Sequence, residues 1–128
     1  MVGPLIYVGT YSIKPGMLEE ARKRVAELVD FVETNEPRLI AFHCFLDEEG
    51  SKLTVIQLHP DSASMEFHQQ VNAKHFATAF DYLEMHSDRY YGPISDALAA
   101  ELSKWYEPGV EVIRMPVHEG GFTRTNVR

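Results

Sequence analysis

The chain has 128 residues, 45% of them hydrophobic and 24% charged, a composition that excludes disordered, collagen-like and membrane-embedded classes and predicts one globular domain over residues 1–128. Twelve Lys and Arg against nineteen Asp and Glu leave a net charge of −7, which opposes nucleic acid and anionic lipid at long range. The single Cys44 has no intrachain disulfide partner, and the opening MVGPLIYVGT lacks the basic leader and long apolar stretch of a secretory signal. A cytoplasmic protein with a buried, reduced thiol is therefore expected.

Residues 4–13 are rich in β-branched and aromatic types and end at Lys14-Pro15-Gly16, so they predict a first strand. Apolar residues at Met17, Ala21, Val25, Leu28, Val29 and Val32 follow at helical spacing, with Glu19 and Glu20 in the first turn, where negative charge suits the helix dipole. Asn35-Glu36-Pro37 ends that helix, because proline disfavours helical geometry in the residue before it. Residues 38–46 and 52–59 flank the polar loop Asp47 to Ser51 and predict an antiparallel hairpin. Asp61 caps a further helical region running to Tyr91, broken near Asn72 to His75. Gly92-Pro93 interrupts it, residues 94–105 continue at helical spacing, and Pro108-Gly109 leads into a last strand, Val110 to Val117. From residue 118 the tail is extended.

The order β, α, β, β, α, β predicts a ferredoxin-like α+β fold with a four-stranded antiparallel sheet and its helices on one face. The other face is also apolar. In the first strand Leu5, Tyr7 and Tyr11 oppose Ile6 and Val8. In the second, Ile40, Phe42, Cys44 and Leu46 oppose Leu39, Ala41 and Phe45, and in the third Leu53 and Val55 oppose Ile56 and Leu58. Each large side chain buried is worth about 1.5–3 kcal/mol, so an uncovered face of this kind predicts a homodimer through the sheet. The competing expectation is that the broken helices of residues 76–105 wrap around both faces.

The frame Ile13-Lys14-Pro15-Gly16, Glu36-Pro37, Asp61 to His68 and Lys74-His75-Phe76 resembles the antibiotic biosynthesis monooxygenase family of the dimeric α+β barrel superfamily, over roughly residues 4–102. The resemblance implies a facing-sheet homodimer, a small-molecule cleft between sheet and helices, and oxidation of quinols or small aromatic compounds by molecular oxygen without metal or flavin. The chain departs from the family pattern at Arg38, Gln57 and His59. Gly9 and His59 stand where the haem-degrading branch has Asn and Trp, which disfavours haem degradation.

Six histidines invite a metal site, but His68 and His75 are seven residues apart, about 10.5 Å along a helix, too far to share an ion. His43 and His59 on neighbouring strands lack an evident third ligand. The expected site instead places Tyr7, Tyr11, His43, Gln57 and His59 on the helix-facing side of the sheet, with His68 and His75 approaching from above. Matching the family's histidine after the helix cap, His68 is expected as base or substrate contact. His59 and Tyr7 are its partners, and Tyr11, His43, Gln57 and His75 line the cleft. Phe76, Phe80, Leu83 and Trp105 read as core. The rival reading is a non-catalytic homodimer that binds a small ligand or serves in stress response.

Overall fold

The computed structural model describes residues 3–124. Strand β1 (Leu5–Ile13) leads into helix α1 (Leu18–Asn35), then the hairpin β2 (Ala41–Leu46) and β3 (Lys52–His59), as the periodicity predicts. Helix α2 (Ser62–Val71) is capped by the Asp61 carboxylate, which accepts the Ser64 amide at 2.9 Å, and Asn72 separates it from α3 (Ala73–Ala79).

The next segment departs from the expectation. Residues Leu83–Tyr91 form a strand, β4, not the end of a helix, and helix α4 (Asp96–Ser103) connects it to β5 (Glu111–Met115). The sheet has five strands in the order β2-β3-β1-β4-β5. Its first four are antiparallel in the ferredoxin-like order, and β5, expected as the fourth strand, is a fifth that joins the edge parallel to β4. The sheet is therefore mixed rather than four-stranded and antiparallel.

A register shift hides β4 from sequence periodicity. The pairing with β1 slips between Thr10 and Tyr11, so His86 is an extra residue. Leu83 and Met85 pair on one side of the slip and Asp88 and Tyr90 on the other, so inward-facing positions change from odd to even. A bulge re-aims side chains in this way. The resulting spacing of apolar positions imitates a helix.

The helices cover one sheet face. One apolar cluster joins Leu5, Tyr7 and Tyr90 to Met65 of α2 and Leu98 and Leu102 of α4. A second joins Leu53 and Leu83 to Ala21 and Tyr82, with Val25, Tyr11 and Cys44 packed against it. On the opposite face Ile6 pairs with Leu58 and Val8 with Ile56, all only half-buried, and Phe45 is 56% exposed. The helices do not wrap to this face.

Candidate functional site

Between the sheet and the helices lies a cleft of about 1000 Å³ counting its open mouth. Its walls include Val25, Leu28, Phe42, Val55, Phe76 and Trp105. Such a largely apolar recess with a few convergent polar groups is the usual form of a small-molecule site. Trp105 packs on Phe80 at 5.9 Å and on Phe76 at 6.2 Å, so residues expected as plain core form part of the wall.

One buried chain of hydrogen bonds enters from β3. The Ser64 hydroxyl lies 2.8 Å from His59 Nδ1, and His59 Nε2 lies 2.8 Å from Gln57 Oε1. Gln57 Nε2 reaches His68 Nε2 at 3.1 Å, and His68 Nδ1 reaches the Glu36 carboxylate at 2.7 Å. The carboxylate only accepts, so with one proton on each ring His68 donates from Nδ1 to Glu36 and accepts at Nε2 from Gln57, and His59 donates from Nε2 to the Gln57 carbonyl. Burial pushes the His59 imidazole down to about 3, so it stays neutral as that pattern requires. Asn72, fully buried at the break between α2 and α3, donates to Glu36 at 2.7 Å and to the His68 carbonyl at 2.9 Å.

A second buried cluster comes from β1 and β4. Tyr7 donates to Asp88 Oδ1 at 2.8 Å and Tyr90 donates to Asp88 Oδ2 at 3.0 Å. With those hydroxyl protons spent, Tyr11 donates to the Tyr7 oxygen at 2.6 Å and Tyr106 to the Tyr90 oxygen. Burial pushes Asp88 up to about 6, with the hydrogen bonds from Tyr7 and Tyr90 opposing it, and burial likewise raises Tyr7, Tyr11 and Tyr90. Gly9 makes room: a Cβ there would stand 2.0 Å from the Tyr7 hydroxyl.

Of the residues expected from the sequence, Tyr7, Tyr11, Gln57, His68 and His75 line this cleft. His75 sits inside α3 with its ring 4.8 Å from Phe31. His59 is fully buried behind Gln57 and orients it from the helix-facing side. His43 does not join them. Gln57 pairs with Phe42, and His43 pairs with Ile56 on the outer face, where it is exposed. The cause is the loop: the Asp47 carboxylate binds the amides of Ser51 and Lys52 at 2.8 and 3.1 Å, holding a register that pairs His43 with Ile56 and turns it outward.

Sequence reasoning missed Glu36, Asn72, Asp88, Tyr90 and Tyr106 as parts of the site. Glu36 reads from the sequence as a helix end and part of the Glu36-Pro37 pair of the family frame, and Asn72 as a helix break. Asp88 and Tyr90 were hidden by the bulge, although the aromatic pair Tyr90-Tyr91 before Gly92-Pro93 is a strand signal.

No protein family and no curated protein matches the chain in sequence. Solved structures do match. MupZ from Pseudomonas fluorescens superposes with a TM-score of 0.76 over 97% of this chain and 91% of its own, at 17% identity. A conserved protein from Methanosarcina mazei gives 0.62 over 70% of this chain and 92% of its own, at 18% identity. A Bacteroides thetaiotaomicron protein described as a candidate antibiotic biosynthesis monooxygenase gives 0.58 over 65% and 85%, at 19% identity. The chain has the fold of the antibiotic biosynthesis monooxygenases. This fold hosts more than one chemistry, so the reaction has to be argued from the cleft. Among the described residues no helix is long and apolar enough to cross a membrane.

Proposed function

We propose that the chain is a cofactor-independent monooxygenase acting on a small aromatic or quinol-like compound held between sheet and helices. The observation that carries this reading is a buried carboxylate, Asp88, lining an apolar cleft with its pKa raised to about 6. Oxygenation of this type needs a substrate made electron-rich by loss of a hydroxyl proton, and a base works best with a pKa near the working pH. Asp88 meets that need. The substrate then gives up two hydrogens and takes one oxygen atom, and the second oxygen atom leaves with those hydrogens as water, so no outside reductant enters the balance.

In this reading His68 and His59 are positioning residues. Both nitrogens of each ring are engaged within the protein, so they act on a ligand through the Gln57 amide that they clamp. The same proposal has two copies meet through the outer sheet face of Ile6, Val8, Ile56 and Leu58, leaving one cleft in each subunit.

The test is oxygen uptake with a panel of hydroxylated aromatic compounds. The expected result is uptake matched by product, with kcat/KM falling below about pH 6 as Asp88 gains a proton. Asp88→Asn lowers the rate by about 100-fold or more and removes that acid limb, while His68→Ala weakens turnover without moving it. The full internal satisfaction of both histidines favours a second reading, a binding protein without turnover. Tight binding of aromatic ligands with no oxygen uptake over a broad panel decides for it.

A further inference from the structure

We infer that the cleft has a fixed hydrogen-bond polarity, accepting at Tyr11 and donating at Gln57, and that it selects an aromatic ligand carrying a hydroxyl at one end and a carbonyl oxygen at the other. This rests on reading the cleft as an aromatic small-molecule site and goes further by naming the pattern of oxygens.

The argument is an inventory of protons. Each phenol has one proton. The Asp88 carboxylate takes those of Tyr7 and Tyr90, so Tyr7 can only accept from Tyr11, and the Tyr11 proton is spent in turn. What Tyr11 has left is lone pairs. A ligand hydroxyl satisfies them as a donor, and a ligand carbonyl would face oxygen against oxygen.

The other chain runs in the opposite sense. Glu36 takes the His68 Nδ1 proton, so His68 Nε2 takes one hydrogen of the Gln57 amide, while His59 donates to the Gln57 carbonyl. Both histidine rings are thereby used up. The amide nitrogen of Gln57, a residue of the cleft wall, carries a second hydrogen beyond the one given to His68. That hydrogen suits an acceptor oxygen, and the contact of His68 with Glu36 keeps the amide from reversing, since a flipped amide would place its carbonyl oxygen against the lone pair of His68 Nε2.

The two poles belong to one cleft but to different strands, since Gln57 is on β3 and Tyr11 and Asp88 are on β1 and β4. When the ligand hydroxyl gives its proton to Tyr11, the Tyr11 proton passes to Tyr7 and the Tyr7 proton to Asp88 Oδ1. The products are a ligand oxyanion and a carboxylic acid, with both tyrosines neutral. If ring conjugation links the hydroxyl to the carbonyl, the charge spreads to the oxygen held by Gln57.

Isothermal titration of the full chain with three matched compounds tests this: a hydroxytetralone, tetralone lacking the hydroxyl, and tetrahydronaphthol lacking the carbonyl. The hydroxytetralone is expected to bind about tenfold more tightly than either of the others, the worth of one well-made hydrogen bond. In Tyr11→Phe it binds no better than tetralone, and in Gln57→Leu no better than tetrahydronaphthol. Equal affinity of the wild-type chain for hydroxytetralone and tetralone, or for hydroxytetralone and tetrahydronaphthol, overturns the polarity while leaving the cleft an aromatic site. Binding of none of the three overturns the aromatic reading and the polarity together.

Discussion

At the scale of single residues, the two buried networks respond to acid in opposite directions. His59 has its pKa lowered in the fold to about 3, so between that value and its ordinary 6.5 the unfolded chain holds the extra proton and stability rises with pH. Asp88 is raised from 3.8 to about 6, so between those values the folded chain holds the extra proton and stability falls with pH. Across roughly pH 4 to 6 the two slopes offset each other. Asp88→Asn removes one of them. Urea titrations of that variant are expected to show stability rising more steeply with pH than in the wild type, by about 1.4 kcal/mol per pH unit over this range. Parallel curves for the two proteins would contradict it. Gly9 gives a second test at this scale. Gly9→Ala drives a methyl into the Tyr7 hydroxyl and is expected to destabilise by about 1–3 kcal/mol, and most of that cost is expected to vanish when the same substitution is made in a Tyr7→Ala background. Additive effects of the two substitutions would remove Tyr7 as the cause.

At the scale of elements, helix α1, the β2–β3 hairpin, the Asp61 cap and the break at Asn72 were legible because each rests on a local rule of periodicity or capping. What was not legible was set by long-range pairing. The parity change at His86 comes from the slip of β4 against β1, and the outward turn of His43 from the Asp47 loop, and neither is written in the local pattern. The same limit applies to the site. Tyr7, Tyr11 and Gln57 follow from strand alternation, but whether Glu36 or Asp88 is solvated or buried depends on what packs over it. Amide hydrogen exchange checks β4 directly. Residues 87–91, paired to β1 on one side and β5 on the other, are expected among the slowest-exchanging amides, whereas the short helix α3 exchanges fast. Protection in α3 exceeding that in β4 would argue for the helical alternative.

At the scale of the whole molecule, the helices occupy one face of the sheet and leave the paired apolar residues Ile6, Leu58, Val8 and Ile56 without a helical cover. Two such faces brought together would bury several aliphatic side chains at about 1.5–3 kcal/mol each, enough to hold a dimer at micromolar concentration. Sedimentation equilibrium is expected to give twice the 14.6 kDa of the chain. Ile56→Lys or Val8→Lys, each of which places a charge on that apolar face, is expected to return the protein to single subunits without unfolding it. A wild-type chain that sediments as one subunit at high concentration rules the association out.

The chain contains one indole, and it stands beside the cleft, stacked on Phe80. Excited near 295 nm, the whole protein therefore emits from a single place, a wavelength chosen because tyrosine absorbs little there. Emission intensity follows what enters beside that ring. Unfolding followed by the same light describes the seam between α3 and the end of α4, so a melt that precedes the loss of the sheet's circular dichroism would reveal that this wall opens on its own.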